Sequence, residues 1–96
     1  MSERKIKIKF FGRFRELSSR RDYSVKLTDF STVKSVLEGL EKEFDGLEGE
    51  FFDDDGKLLP RVNVFVNGGN IRVKSGLDTV LGEGDKITIF PPFGGG

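Results

Sequence analysis

The stretch STVKSVLEGLEKEF, Ser31 to Phe44, decides the fold, because it is where the spacing of apolar residues changes. Val33, Val36, Leu37, Leu40 and Phe44 stand at i, i+3, i+4, i+7 and i+11, one stripe of an amphipathic α-helix with charges on the opposite side. Ser31 or Thr32 can cap the start of this helix, and Gly46 can end it. A helix with a single apolar stripe needs a partner surface of the same kind.

The flanking segments supply it. Upstream, Ile6, Ile8 and Phe10 alternate with Lys5, Lys7 and Lys9, and Tyr23, Val25 and Leu27 alternate with Ser24 and Lys26. This period of two marks strands with one buried face. The two runs predict a hairpin whose loop carries Gly12 to Asp22, with Phe14 and Leu17 tucked under the core. Downstream, Val62, Val64 and Val66 alternate again, and Asn67-Gly68-Gly69-Asn70 is turn chemistry leading into a short strand at Ile71 to Val73. Gly84-Asp85 turns into a last strand, Lys86 to Phe90, with Ile87 and Ile89 on one side. Leu47 to Pro60, with Gly49, Gly56 and the run Asp53-Asp54-Asp55, reads as irregular connection.

The order strand, strand, helix, strand, strand, strand predicts an α+β fold: a mixed sheet of about five strands covered on one face by one main helix, the β-grasp plan. Residues 1–93 form the domain, and residues 94–96 a flexible glycine tail.

Composition narrows the chemistry. The 96 residues include no cysteine and no histidine, which removes thiol nucleophiles, thiolate metal sites and the commonest general base. The chain therefore reads as a carrier or binder rather than an enzyme, with no cofactor and no metal of its own. Charges recur from Glu3 through Lys9, so the opening holds no apolar run for a signal peptide or membrane span, and a cytoplasmic location is expected. The net charge of zero hides two poles. Arg4 to Arg21 holds eight basic residues against Glu16 alone, and Glu38 to Asp55 holds nine acidic residues against Lys42. Such segregation occurs on ordinary solvated surfaces and on surfaces that steer a charged partner.

The end of the chain carries the sharpest signal. Pro91 and Pro92 cannot continue a ladder, so the last strand stops at Phe90 and the backbone projects from the domain. Gly94, Gly95 and Gly96 follow with no side chains to obstruct a narrow channel, which suits the delivery of a terminal carboxylate into another protein. If Ile6, Ile8, Phe10, Val62, Val64, Val66, Ile87 and Ile89 face the helix, Phe11, Phe65 and Phe90 face the uncovered side. A patch of phenylalanines on an open face fits a docking surface. With Ile71, Pro91, Pro92 and Phe93, these are the candidate partner-binding residues.

Other motifs do not hold. An EF-hand reading of the Asp53 run places Phe51 and Val62 where carboxylates are needed. No glycine cluster is followed by Gly-Lys-Ser/Thr, so the sequence holds no phosphate-cradling P-loop. Zero net charge, and lysines that alternate with core residues, read against nucleic-acid binding.

The opening Ile6-Lys7-Ile8-Lys9-Phe10-Phe11-Gly12, Phe14 to Leu17, Thr32-Val33 and above all the ending Gly84 to Gly96 resemble the MoaD/ThiS family of ubiquitin-like sulfur carriers, of the molybdopterin synthase small-subunit type, and the resemblance spans nearly the whole chain. Gly94 stands where family tails often carry Ala, Ser or Thr, and Leu47 to Pro60 is longer than in the shortest members. The resemblance implies that an adenylating enzyme of the ubiquitin-activating type forms an acyl-adenylate on Gly96, that a sulfur donor converts it to a thiocarboxylate, and that the sulfur passes to molybdopterin in a complex with the large subunit. Archaeal-type small modifier proteins are close relatives of the family. The first alternative is accordingly a ubiquitin-like modifier, in which target-protein lysines attack the same activated glycine, and the second a β-grasp binding module with an inert tail.

Overall fold

The computed structural model describes residues 4–27 and 31–92. Strand β1 spans Lys5–Phe10, with Ile6, Ile8 and Phe10 wholly buried and Lys5 and Lys7 exposed. It pairs antiparallel with β2, Asp22–Lys26, and parallel with the last strand, Lys86–Phe90, which in chain order is β5. β3, Asn63–Val66, pairs with β5, and β4, Gly69–Asn70, closes the far edge, giving the order β2-β1-β5-β3-β4. The first and last strands therefore lie side by side at the centre of a mixed, five-stranded sheet.

Two helices accompany the sheet among the described residues: α1, Arg13–Ser18, and α2, Val33–Glu43. Val33, Val36, Leu37 and Leu40 of α2 are buried against Ile6, Ile8, Phe10, Val64, Ile87 and Ile89, so the stripe and the sheet share one core. Thr32 caps α2 reciprocally: its Oγ1 accepts from the Ser35 amide at 3.2 Å, while the Ser35 Oγ accepts from the Thr32 amide at 3.0 Å. One α-helix lying across a mixed sheet is the β-grasp arrangement.

The structure differs from the sequence reading in three places. The β1–β2 connection is not a simple loop; α1 occupies it and drives Phe14 fully into the core, where it packs 5.8 Å from the Phe51 ring. Helix α2 ends at Glu43 rather than near Gly46, because Phe44 turns extended (φ −117°, ψ 110°) and the chain enters a 3-10 turn over Asp45–Leu47. Gly46 is needed for another reason, since a Cβ there would run into the Leu17 carbonyl of α1.

The third difference touches the site. Ile71–Val73, expected as a strand, is a 3-10 turn: Asn70 Oδ1 accepts from the Arg72 amide at 2.9 Å and bends the backbone immediately after β4. That turn carries Ile71 into the core, 1% exposed. Ile71 is therefore a packing residue and not part of an accessible partner-binding surface.

Candidate functional site

The candidate site lies where β5 ends and the chain departs toward the glycines. Gly94, Gly95 and Gly96, with Phe93, lie outside the described residues, so the site is built from its root.

Three devices fix that root. The first is the turn before β5. Asp85 accepts through Oδ2 from the Gly82 amide at 2.8 Å and through Oδ1 from Asn67 Nδ2 at 2.9 Å, while Asn67 Oδ1 accepts from the Lys86 amide at 3.0 Å. Asn67 and Gly68 take the positive φ values, 51° and 86°, that a two-residue hairpin turn between β3 and β4 favours, so one asparagine shapes that hairpin and ties it to the start of β5. The second device is the parallel ladder, which continues past β1 through the Phe11 amide donating to the Ile89 carbonyl at 3.0 Å. The third is steric. Gly12 has φ 58° and ψ −135°, a conformation that L side chains rarely adopt, and a Cβ there would lie 2.7 Å from Pro91 Cγ and 2.9 Å from Cδ. The proline ring sits where a side chain at position 12 would be. Pro92, beyond it, is exposed.

Beside this root lies the face of the sheet that no helix covers among the described residues. Register pairs Asn63 with Phe90 and Phe65 with Thr88, which puts Phe65 and Phe90 on the face away from α2, their rings 5.0 Å apart and inclined at 58°. Phe11 is 41% exposed. Phe90 takes the outward parity but is only 9% exposed, and Phe65 is half-buried. The expectation of an openly exposed Phe90 is corrected: diagonal neighbours on adjacent strands lay the two rings against each other, and Phe11 is the more accessible of the aromatics.

The sequence singled out Phe11, Phe65, Phe90, Pro91 and Pro92; the structure lays Phe65 against Phe90 on the outer face and places Pro91 directly after β5. Sequence reasoning missed Gly12, whose signal would have been a glycine leading into α1 opposite a proline across the sheet. Asn67 and Asp85 were read as turn residues only. The Asp53 run is a turn as well: Asp53 Oδ1 accepts from the Asp55 amide at 2.8 Å and the Lys57 amide at 2.9 Å, closing the loop under the Phe52–Leu58 bridge.

Residues 8–96 match the sequence profile of the ThiS family. The chain belongs to the ThiS family. Its members are small carrier proteins, sulfur carriers and modifiers, rather than catalytic enzymes. Small archaeal modifier protein 3 of Haloferax volcanii is 38% identical over 91 residues, covering 95% of this chain and 98% of the relative. The molybdopterin synthase sulfur carrier subunit of Escherichia coli is 32% identical over 91 residues, 95% of this chain and 99% of the relative. The crystal structure of SAMP1 from Haloferax volcanii superposes with a TM-score of 0.82 at 30% identity, covering 96% of this chain and 99% of that one. The fold of this ThiS-family chain is thus the ubiquitin-like β-grasp, and the chain belongs with the ThiS/MoaD-type ubiquitin-like proteins, which include sulfur carriers and modifiers. Among the described residues no helix is long and apolar enough to cross a membrane.

Proposed function

We propose that this chain is a cytoplasmic sulfur carrier whose working group is the C-terminal carboxylate of Gly96. The observation that carries the reading is the fixed root: β5 stops at Phe90, Pro91 is held against Gly12, and only Phe93 separates the Pro91-Pro92 pair from Gly94-Gly95-Gly96. A rigid root with side-chain-free residues beyond it suits insertion of a terminus into a partner's active site. There the carboxylate attacks the α-phosphorus of ATP, pyrophosphate leaves, and a sulfide donor displaces AMP from the acyl-adenylate to leave a thiocarboxylate. The adenylating enzyme supplies the nucleotide site. The sulfur then serves molybdopterin synthesis with a large catalytic subunit, a reading supported by the relative named as the sulfur carrier subunit of molybdopterin synthase. In this reading Phe11, with Pro92 and Phe93, meets the partner while Phe65 and Phe90 support the surface.

A second reading rests on the relative named a small archaeal modifier protein: attack by a target-protein lysine on the same acyl-adenylate gives an isopeptide bond. Intact mass of the chain purified from its native host separates the two. Sulfur in place of one oxygen supports carriage, and lysine-linked conjugates support modification. A C-terminus found only as the free carboxylate, with no conjugates, in cells making molybdenum cofactor would count against both.

A further inference from the structure

We propose that the open edge of β2 and the groove between β2 and α2 form a second docking site, which takes an extended segment of another protein carrying apolar residues alternating with acidic ones. The site is separate from the root of the tail and stands whether or not Gly96 is activated.

The backbone phase of β2 sets up the edge. Leu27 donates its amide to the Arg4 carbonyl at 2.8 Å, and Phe10 donates to the Arg21 carbonyl at 2.9 Å. With the register Ile6↔Val25 and Ile8↔Tyr23, the hydrogen-bonded pairs are those of Arg21, Tyr23, Val25 and Leu27. Asp22 and Ser24 consequently turn their backbone groups away from β1, and among the described residues β2 is the last strand on that side of the sheet. β2 contains no proline, so every residue of this edge carries an amide donor.

The groove beside the edge is apolar at its floor. Tyr23, Val25, Val36 and Leu40 line it, and its volume is about 440 Å³. One end is closed by Tyr23 set edge-to-face against Phe44, ring centres 5.0 Å apart, with the Arg20 guanidinium 5.4 Å from the Tyr23 ring centre. Gly39 holds the groove open from the helix side. It stands in the interior of α2, where glycine costs about 1 kcal/mol relative to alanine, yet a Cβ there would meet nothing within 4 Å. Packing does not require a glycine at this position.

Charge selects the occupant. A strand added to β2 would send alternate side chains into the groove and the others onto the outer face of the sheet. On that face Lys5 stands opposite Lys26, Lys7 opposite Ser24 and Lys86 opposite Lys7, with Asp22 opposite Lys9 as the acidic exception among these pairs, so the field is basic on balance. Acidic residues on the incoming strand would relieve it, and basic ones would add to it.

The probe is a short capped peptide of alternating glutamate and isoleucine, titrated into the isotope-labelled full chain and followed by backbone amide shifts. Saturable shifts are expected on Tyr23 to Lys26 and on Ser35 to Glu43, with Kd below about 1 mM. Gly39→Leu fills the groove, and Ser24→Pro deletes an outward amide without touching the β1 ladder; each is expected to weaken binding at least about tenfold while thermal melting confirms a folded domain. No saturable shift, shifts centred on Phe11 and Phe65, equal binding of a lysine–isoleucine peptide, or parental affinity in either folded variant would each overturn the proposal.

Discussion

Gly12 meets the proline ring at the root of the tail, and two independent constraints act on it: φ 58° with ψ −135°, and a Cβ position 2.7 Å from Pro91 Cγ. Gly12→Ala is expected to cost about 2 kcal/mol or more in a denaturant melt and to displace Pro91, so ATP–pyrophosphate exchange with the activating enzyme should fall further than stability alone explains. The aromatics separate in the opposite way. Phe90→Ala removes a 9% exposed ring packed on Phe65, with an expected loss of about 2–3 kcal/mol in folding stability. Phe11→Ala should change stability by less than about 0.5 kcal/mol yet weaken partner binding at least about tenfold, as calorimetry against the large subunit would register. Comparable stability losses in the two variants would mean that Phe11 is also packed. Strand parity was legible for these residues because it follows from the period of two; burial on the outer face was not, because it depends on which diagonal neighbour each ring finds.

Among the elements, α2 was the most legible, since its stripe runs through eleven residues and its Thr32 cap is local. β1, β3 and β5 followed from alternation. α1 escaped because six residues make fewer than two turns, and Phe14 and Leu17 alone do not define a period. The 3-10 turn over Ile71–Val73 escaped because an asparagine side chain ends β4, where Ile71 and Val73 show the same alternation a strand would. Gly39 offers a clean test at this scale. Gly39→Ala places a methyl where nothing lies within 4 Å and is expected to raise stability by about 0.5–1 kcal/mol, seen as a higher melting temperature. An unchanged or lower melting temperature would mean that the backbone at Gly39 departs from ordinary helix energetics.

For the whole molecule, a packed domain and a terminus beyond it make separable demands. Deleting Gly95 and Gly96 is expected to leave the melting temperature unchanged within about 1 °C while abolishing ATP–pyrophosphate exchange, because the described core ends at Phe90. Exchange at the undeleted rate would remove the carrier reading. The proposed site was suggested by the linear order Pro-Pro before glycine, whereas the anchoring of its root was not legible, because Gly12 and Pro91 are neighbours only through the sheet. That central pairing of β1 with β5 has a consequence for how the chain is made. A nascent chain that has not yet released Lys86 to Phe90 from the ribosome lacks the strand that joins β1 to β3, leaving two half-sheets with open inner edges. The sheet cannot close before Lys86 to Phe90 are available, so products truncated ahead of β5 expose their unpaired edges to proteolysis and aggregation instead.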